Sequence, residues 1–316
     1  MIPRKMADED LEECIGVNAA GIGQEIVGRQ RALSAWRVLV KNPRFTGVVL
    51  ESPEPIAGHR TVAFAAAVFV SKEFSDCEIF APKPGLNARI IASIDTGRSV
   101  VLTEAELQYG NTYDGLFQAI LYSTWKRGIL TSEQTAQVEM DFAKIYFQIF
   151  AGYRLERLLF EATDSLDIEH AKATKVWNII SDFADFHAGN AGNSWNRDRA
   201  LAVIERTGAL SVLGSASALF FDYHKPILRF TRGDRELLEA AIEGLTDDEL
   251  ACALHLKKQT VKKRWASVFD QAASVMPGLL PESDGTINRP TRGPQKRHHL
   301  LAYVRRHPEE LRPFIH

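Results

Sequence analysis

Apolar positions follow two different rhythms along this chain. Near the N-terminus Leu33, Trp36 and Val40 recur at a 3.6-residue period, which predicts a helix over Arg29–Val40 after a less regular one over Leu11–Ile26. Asn42-Pro43 ends it, because the residue before proline is pushed out of the α region. Two β-branched and apolar runs, Phe45–Glu51 and Thr61–Val70, read as strands separated by the turn-rich segment Ser52–His59. Further strands are expected at Arg89–Ile94 and Ser99–Thr103 around Asp95-Thr96-Gly97, and helices at Tyr113–Lys126 and Thr131–Phe150. Tyr153–Ala162 reads as another strand with Leu155, Leu158 and Phe160 inward. Helices are then expected at Asp167–His187 and Arg197–Thr207, around the Gly/Asn-rich loop Ala188–Asn196.

Beyond Phe230 the helical period takes over. Thr231 and Asp234 open a helix carrying Leu237, Leu238, Ala241 and Ile242 on one face, and Gly244 stands where a left-handed residue stops it. Thr246 and Glu249 make the T-x-x-E of a capping box for a short helix bearing Leu250, Ala253 and Leu254. After His255-Leu256-Lys257, a third helix is predicted over Lys258–Ala272, with Val261, Trp265 and Val268 inward and Lys258, Gln259, Lys262, Lys263 and Ala266 outward. The fold class expected is therefore an α/β domain over 1–224, a mixed sheet with flanking helices, followed by an all-α domain over 225–316.

The spacing of Phe230-Thr231, Glu236-Leu237-Leu238, Gly244, Glu249-Leu250-Ala251, Leu254 and Thr260-Val261-Lys262 resembles the LuxR-type (NarL/FixJ-like) helix-turn-helix family over about forty residues. The resemblance implies a sequence-specific transcriptional regulator rather than an enzyme, with Lys258–Ala272 as recognition helix in the major groove of double-stranded DNA. Lys257, Lys258, Gln259, Thr260, Lys262, Lys263 and Arg264 would be its DNA-binding residues, and the protein a homodimer. In such regulators the preceding domain takes a small-molecule or protein signal or serves dimerisation. Lys257 departs from the family, which places a serine there; a lysine cannot accept the capping hydrogen bond, leaving Thr260 or water to do so.

Charge fits this picture without deciding it. The net formal charge of the 316 residues is -2, yet basic residues cluster at Lys257–Arg264 and Arg289–Arg306. In the second cluster Leu300, Leu301 and Val304 favour a docking helix, while the flanking Lys296, Arg297, Arg305 and Arg306 leave an accessory phosphate clamp open. Three scattered cysteines and no paired histidine spacing give neither a disulfide framework nor a metal site, and no cofactor is assigned. No secretory leader or membrane-spanning run is read, so a cytoplasmic location is expected.

A second reading rests on the N-terminal domain. Its strand and helix order, with Ala143–Ala162 (AKIYFQIFAGYRLERLLFEA), resembles the GNAT acetyltransferase fold, which implies as the alternative an acyltransferase with an attached DNA-targeting module. The pyrophosphate loop of that fold, Q/R-x-x-G-x-G/A, is missing; Gln108-Tyr109-Gly110-Asn111 echoes only part of it. Glu104, Glu106 and Tyr113 read as helix-start residues, His187 as a packed histidine, and Tyr146, Phe147, Phe150 and Tyr153 as helix-to-sheet core. No catalytic residue is named.

Overall fold

The structure, a computed structural model, describes residues 1–17, 27–42, 45–56, 59–125, 130–163, 165–174, 176–183, 199–211, 216–281 and 293–315. Its residues cluster into two units. The first is built on a sheet whose first four strands run antiparallel: β1 (Ile2–Lys5), β2 (Thr46–Ile56), β3 (His59–Val70) and β4 (Leu116–Trp125). Next comes β5 (Leu155–Ala162), parallel to β4, then β7 (Ala200–Glu205) and the edge strand β6 (Asn178–Asp182), both antiparallel to their neighbours. The mixed seven-stranded sheet with flanking helices is an α/β arrangement, as the sequence pattern implied.

Central strands apolar on both faces hold the two layers together. On one face Phe64, Val68, Ala119 and Leu159 pack under α1 (Leu11–Val17), α2 (Arg29–Lys41) and α4 (Leu86–Asp95), through Leu11, Trp36, Leu39, Ile90 and Ile91. On the other, Leu50, Val62 and Ala63 meet Val138 and Phe142 of α6 (Ser132–Phe150). Between them in sequence lie α3 (Lys72–Phe80) and α5 (Glu104–Tyr109); Ser71 and Thr103 cap these two helices through their side chains.

Several expected elements change type. Arg89–Ile94 belongs to α4, not a strand: a short apolar run reads equally as buried helix or buried strand, and Gly85, at φ 90, starts the helix here. At Ser99–Thr103 there is an isolated bridge, Val70 to Val101, rather than a strand. The helix expected over Tyr113–Lys126 does not form over Leu116–Trp125: after a π-helical turn, Gly110–Asp114, the run becomes β4, paired to β3 and, as far as Ile120, to β5. The helix expected over Asp167–His187 is α7 (Ser165–Thr174) followed by β6, and that over Arg197–Thr207 is β7 running into α8 (Arg206–Ser211). These outer strands are decided by pairing, β7 with β5 and β6 with β7, which a local period cannot register. β1 had no local signal, and Ala188–Asn196 with His187 lies outside the described residues.

The second unit comprises Asp222–His316 with two short pieces from elsewhere in the chain, Asn111–Tyr113 and Ala151–Arg154; a division at 224/225 does not include them. Its helices are α9 (Arg232–Ile242), α10 (Asp247–Ala253), α11 (Lys258–Val275) and α12 (Gly293–Arg306). Capping boxes join Thr231 to Asp234 and Thr246 to Glu249, and Gly244 adopts φ 87 after α9. Leu237, Leu238, Leu250, Val261, Trp265 and Val268 share one core with Leu300, Leu301 and Val304, so α12 is docked on it. Arg297 lies over the Trp265 ring at 4.8 Å and donates to Asp247 at 3.0 Å.

Candidate functional site

The register of the sheet opens a gap between two neighbouring strands. β4 and β5 pair from Leu116 and Leu155 as far as Ile120 and Phe160, the one parallel ladder among the described strands. Past that point β4 continues to Trp125, paired to β3 as far as Ala63, while β5 continues through Glu161 and Ala162, paired to β7 at Leu201 and Ala200. Each strand keeps its outer partner and loses its inner one, so the sheet splits at the carboxyl ends of its parallel pair. Backbone N–H and C=O groups along such an inner edge can accept an extended amide-bearing ligand as an added strand.

Buried polar groups stand on both faces of the sheet near the end of the β4–β5 ladder. On the α4 face Glu161, 3% exposed and one residue past the last β4–β5 pair, accepts the Gly85 N–H at 2.6 Å, and Arg199 Nη1 lies 3.6 Å from the same oxygen. Burial raises the Glu161 carboxyl above the ordinary glutamate range, against the opposing pull of Arg199, the Gly85 N–H and Arg89. A carboxyl lifted this way can exchange a proton nearer neutrality than a solvated one.

On the α6 face the Tyr146 hydroxyl donates to Gln118 Oε1. Burial raises the phenol well above its ordinary value, so Tyr146 remains a donor at any working pH. Gln118, fully buried on β4, has no hydrogen-bond partner for its Nε2 group among the described residues. An amide donor held in place and left unsatisfied costs free energy that a ligand oxygen would recover. Around this pair Tyr146 meets Phe150 and Phe220 at 4.8 and 5.4 Å between ring centroids, and Phe147 stacks on Phe220 at 4.8 Å. These aromatics form a wall behind Gln118, as the core reading expected, while Tyr153 belongs to the second unit under Arg312.

Gln108–Asn111, the partial echo of a phosphate loop, lies before β4 and is helical, spanning the end of α5 and the π-helical turn. The junction that follows the parallel strand is instead the one between β4 and α6, and 126–129 fall outside the described residues. Glu106 closes the capping box of Thr103, confirming its role at a helix start.

The residues singled out for DNA lie at the N-cap and along the first turns of α11. Lys257 is the N-cap and makes no side-chain capping bond; the Thr260 N–H turns back to the Lys257 carbonyl at 2.8 Å. Lys258 is paired with Asp248 at 2.7 Å, and half-buried Arg264 donates inward to the Gly233 carbonyl at 3.1 Å. Gln259, Lys262 and Lys263 are exposed, and Thr260 is half-buried.

Comparison with known proteins changes the functional assignment. No family model matches the sequence. No curated protein matches it. Among solved structures it is similar to the C-terminal condensation domain of Ebony in complex with beta-alanyl-dopamine, at 12% identity and TM-score 0.38, over 65% of this chain and 98% of that one. It is similar to a mosquito arylalkylamine N-acetyltransferase like 5b at 12% identity and TM-score 0.38, over 65% and 99%. It is also similar to FeeM, an N-acyl amino acid synthase from uncultured soil microbes, at 9% identity and TM-score 0.35, over 65% and 90%. The regulator assignment does not stand. No family model supports the LuxR-type identification, and the non-enzymatic character, the double-stranded DNA partner and the homodimer that it alone implied are corrected with it. No described helix is long and apolar enough to cross a membrane.

Proposed function

We propose that the first unit is a GNAT-like acyltransferase that takes an acyl thioester such as acyl-coenzyme A in the split between β4 and β5 and transfers the acyl group to an amine. The observation that carries this is the loss of β4–β5 pairing after Ile120 and Phe160 while both strands run on. The arm of such a donor is an extended chain with amide groups, suited to the open inner edge of β4. In the transfer the amine nitrogen attacks the thioester carbonyl, the carbon–sulfur bond breaks, and sulfur leaves as a thiolate that takes a proton from solvent. Glu161 accepts the proton that the ammonium group sheds to become the attacking amine, and the second nitrogen proton passes to solvent as the tetrahedral adduct collapses; Gln118, oriented by Tyr146, offers its Nε2 donor to an oxygen in the split. In this reading the second unit is an all-α helix-turn-helix arrangement acting as a packing module, and the protein works in the cytoplasm, where its three cysteines stay as thiols.

The test is isothermal titration of the full chain with acetyl- and longer acyl-coenzyme A, paired with a thiol-release assay on a panel of amines. Saturable binding with acyl-dependent thiol release is expected. Absence of binding to every acyl-coenzyme A tried would overturn the proposal.

A further inference from the structure

The second unit holds a cleft of about 350 Å3 on which three cations converge: Arg154, Lys225 and Arg229. That volume suits a small ligand. No acidic residue lines it, and among the described residues neither Lys225 nor Arg229 has an ion-pair partner. Tyr113, Tyr223 and Phe314 supply aromatic wall beside Thr112 and Ile315, with Lys225 Nζ 5.5 Å from the centre of the Phe314 ring. Positive charge beside planar apolar surface, with no acidic residue in the lining, calls for an anion with an apolar body.

The walls are built rather than accidental. Asn111, fully buried, accepts the Arg154 backbone N–H and donates to the Pro313 carbonyl, each at 2.8 Å, tying three separate stretches of chain together. Arg154 Nη1 donates to the Tyr113 carbonyl at 2.6 Å, and the Ile315 N–H to Thr112 Oγ1 at 2.9 Å. The segment bearing Lys225 and Arg229 is pinned from two sides: Glu310 accepts the N–H groups of Ile227 and Leu228 at 3.0 and 2.9 Å, and Gln271 donates to the Leu228 carbonyl at 3.1 Å. Arg229 adopts φ 53, a left-handed conformation that arginine takes at a cost. It lets Leu228 and Phe230 both enter the core while the Arg229 side chain turns out to the cleft.

We infer that this cleft is a binding site for a small organic anion, its carboxylate or phosphate held by Arg154, Lys225 and Arg229 and its planar apolar body lying against Phe314 and Tyr223. The inference does not depend on acyl transfer by the first unit.

Titration calorimetry of the full chain with phenyl phosphate, phenylacetate, benzyl alcohol and inorganic phosphate tests it. At least one aromatic anion is expected to bind saturably and at least about tenfold more tightly than both the neutral alcohol and inorganic phosphate. Preference for phenyl phosphate identifies a phosphate head and preference for phenylacetate a carboxylate, and either supports the site. In the double variant Lys225→Ala, Arg229→Ala, whose side chains are exposed, affinity should fall at least about tenfold with an unchanged melting temperature. Absence of saturable binding by either aromatic anion, equal binding of benzyl alcohol, or full affinity in the double variant would overturn it.

Discussion

Glu161 is where burial and chemistry meet most directly. Its carboxyl titrates above the ordinary range because desolvation outweighs Arg199, the Gly85 N–H and Arg89. If it accepts the amine's proton, kcat/KM climbs with pH through a window displaced above that of a solvated glutamate, because the ionised form is the base. Glu161→Gln, which keeps an acceptor oxygen for Gly85, is expected to lower kcat roughly a hundredfold and to flatten that limb, as a pH–rate profile would show. Stability runs the opposite way: a raised folded pKa contributes stability in full below the unfolded value and loses it as pH rises through the folded one. At Gly152 the constraint is steric, since φ is 81 and an added Cβ would sit 2.3 Å from the Glu309 backbone nitrogen. Gly152→Ala is therefore expected to cost about 3 kcal/mol in the second unit, measured by denaturant unfolding.

At the scale of elements, caps explain why some helices were legible. Thr231 with Asp234 and Thr246 with Glu249 announce α9 and α10 in the sequence, and the structure closes both boxes. Lys257, in contrast, starts α11 with no side-chain cap, as its chemistry requires. Lys257→Ser is expected to stabilise the chain by about 1 kcal/mol, and Thr246→Ala to destabilise it by a similar amount, both read as shifts in the urea midpoint. β4 shows the opposite case. Over Phe117–Ile120 it is paired on both sides and Leu116, Phe117, Gln118 and Ala119 are all buried, so the run carries no alternation to separate strand from helix. The candidate split depends on that strand, so misreading β4 as helical also hid the site. The long parallel neighbour β5 and helix α6 were legible, but the gap belongs to neither alone.

For the molecule as a whole, the second unit is discontinuous in sequence. Asn111–Tyr113 and Ala151–Arg154 belong to it although they stand among the strands and helices of the first. A chain of 222–316 alone would lack the Asn111 bonds to Arg154 and Pro313 and the Arg312 bond to the Ala151 carbonyl. Such a fragment is expected to show less amide protection in α9 and α11 than the full chain, by hydrogen exchange. Equal protection would show that the two short pieces contribute no stability.

The sequence by itself determined the apolar periods of α2, α6 and α9–α11, the threonine caps and the strand character of β2, β3 and β5, since caps and periodicity act among residues a few positions apart. Pairing over long sequence separations decided the rest. It made strands of β4, β6 and β7, ended the β4–β5 ladder at Ile120 and Phe160, and set Glu161 beside Gly85 and Arg199. Long-range hydrogen bonds through Asn111 and Glu310 gathered Arg154, Lys225 and Arg229 around one cleft. Neither the raised carboxyl nor the convergent cations follow from neighbours in sequence, because desolvation and charge proximity exist only once the chain has folded.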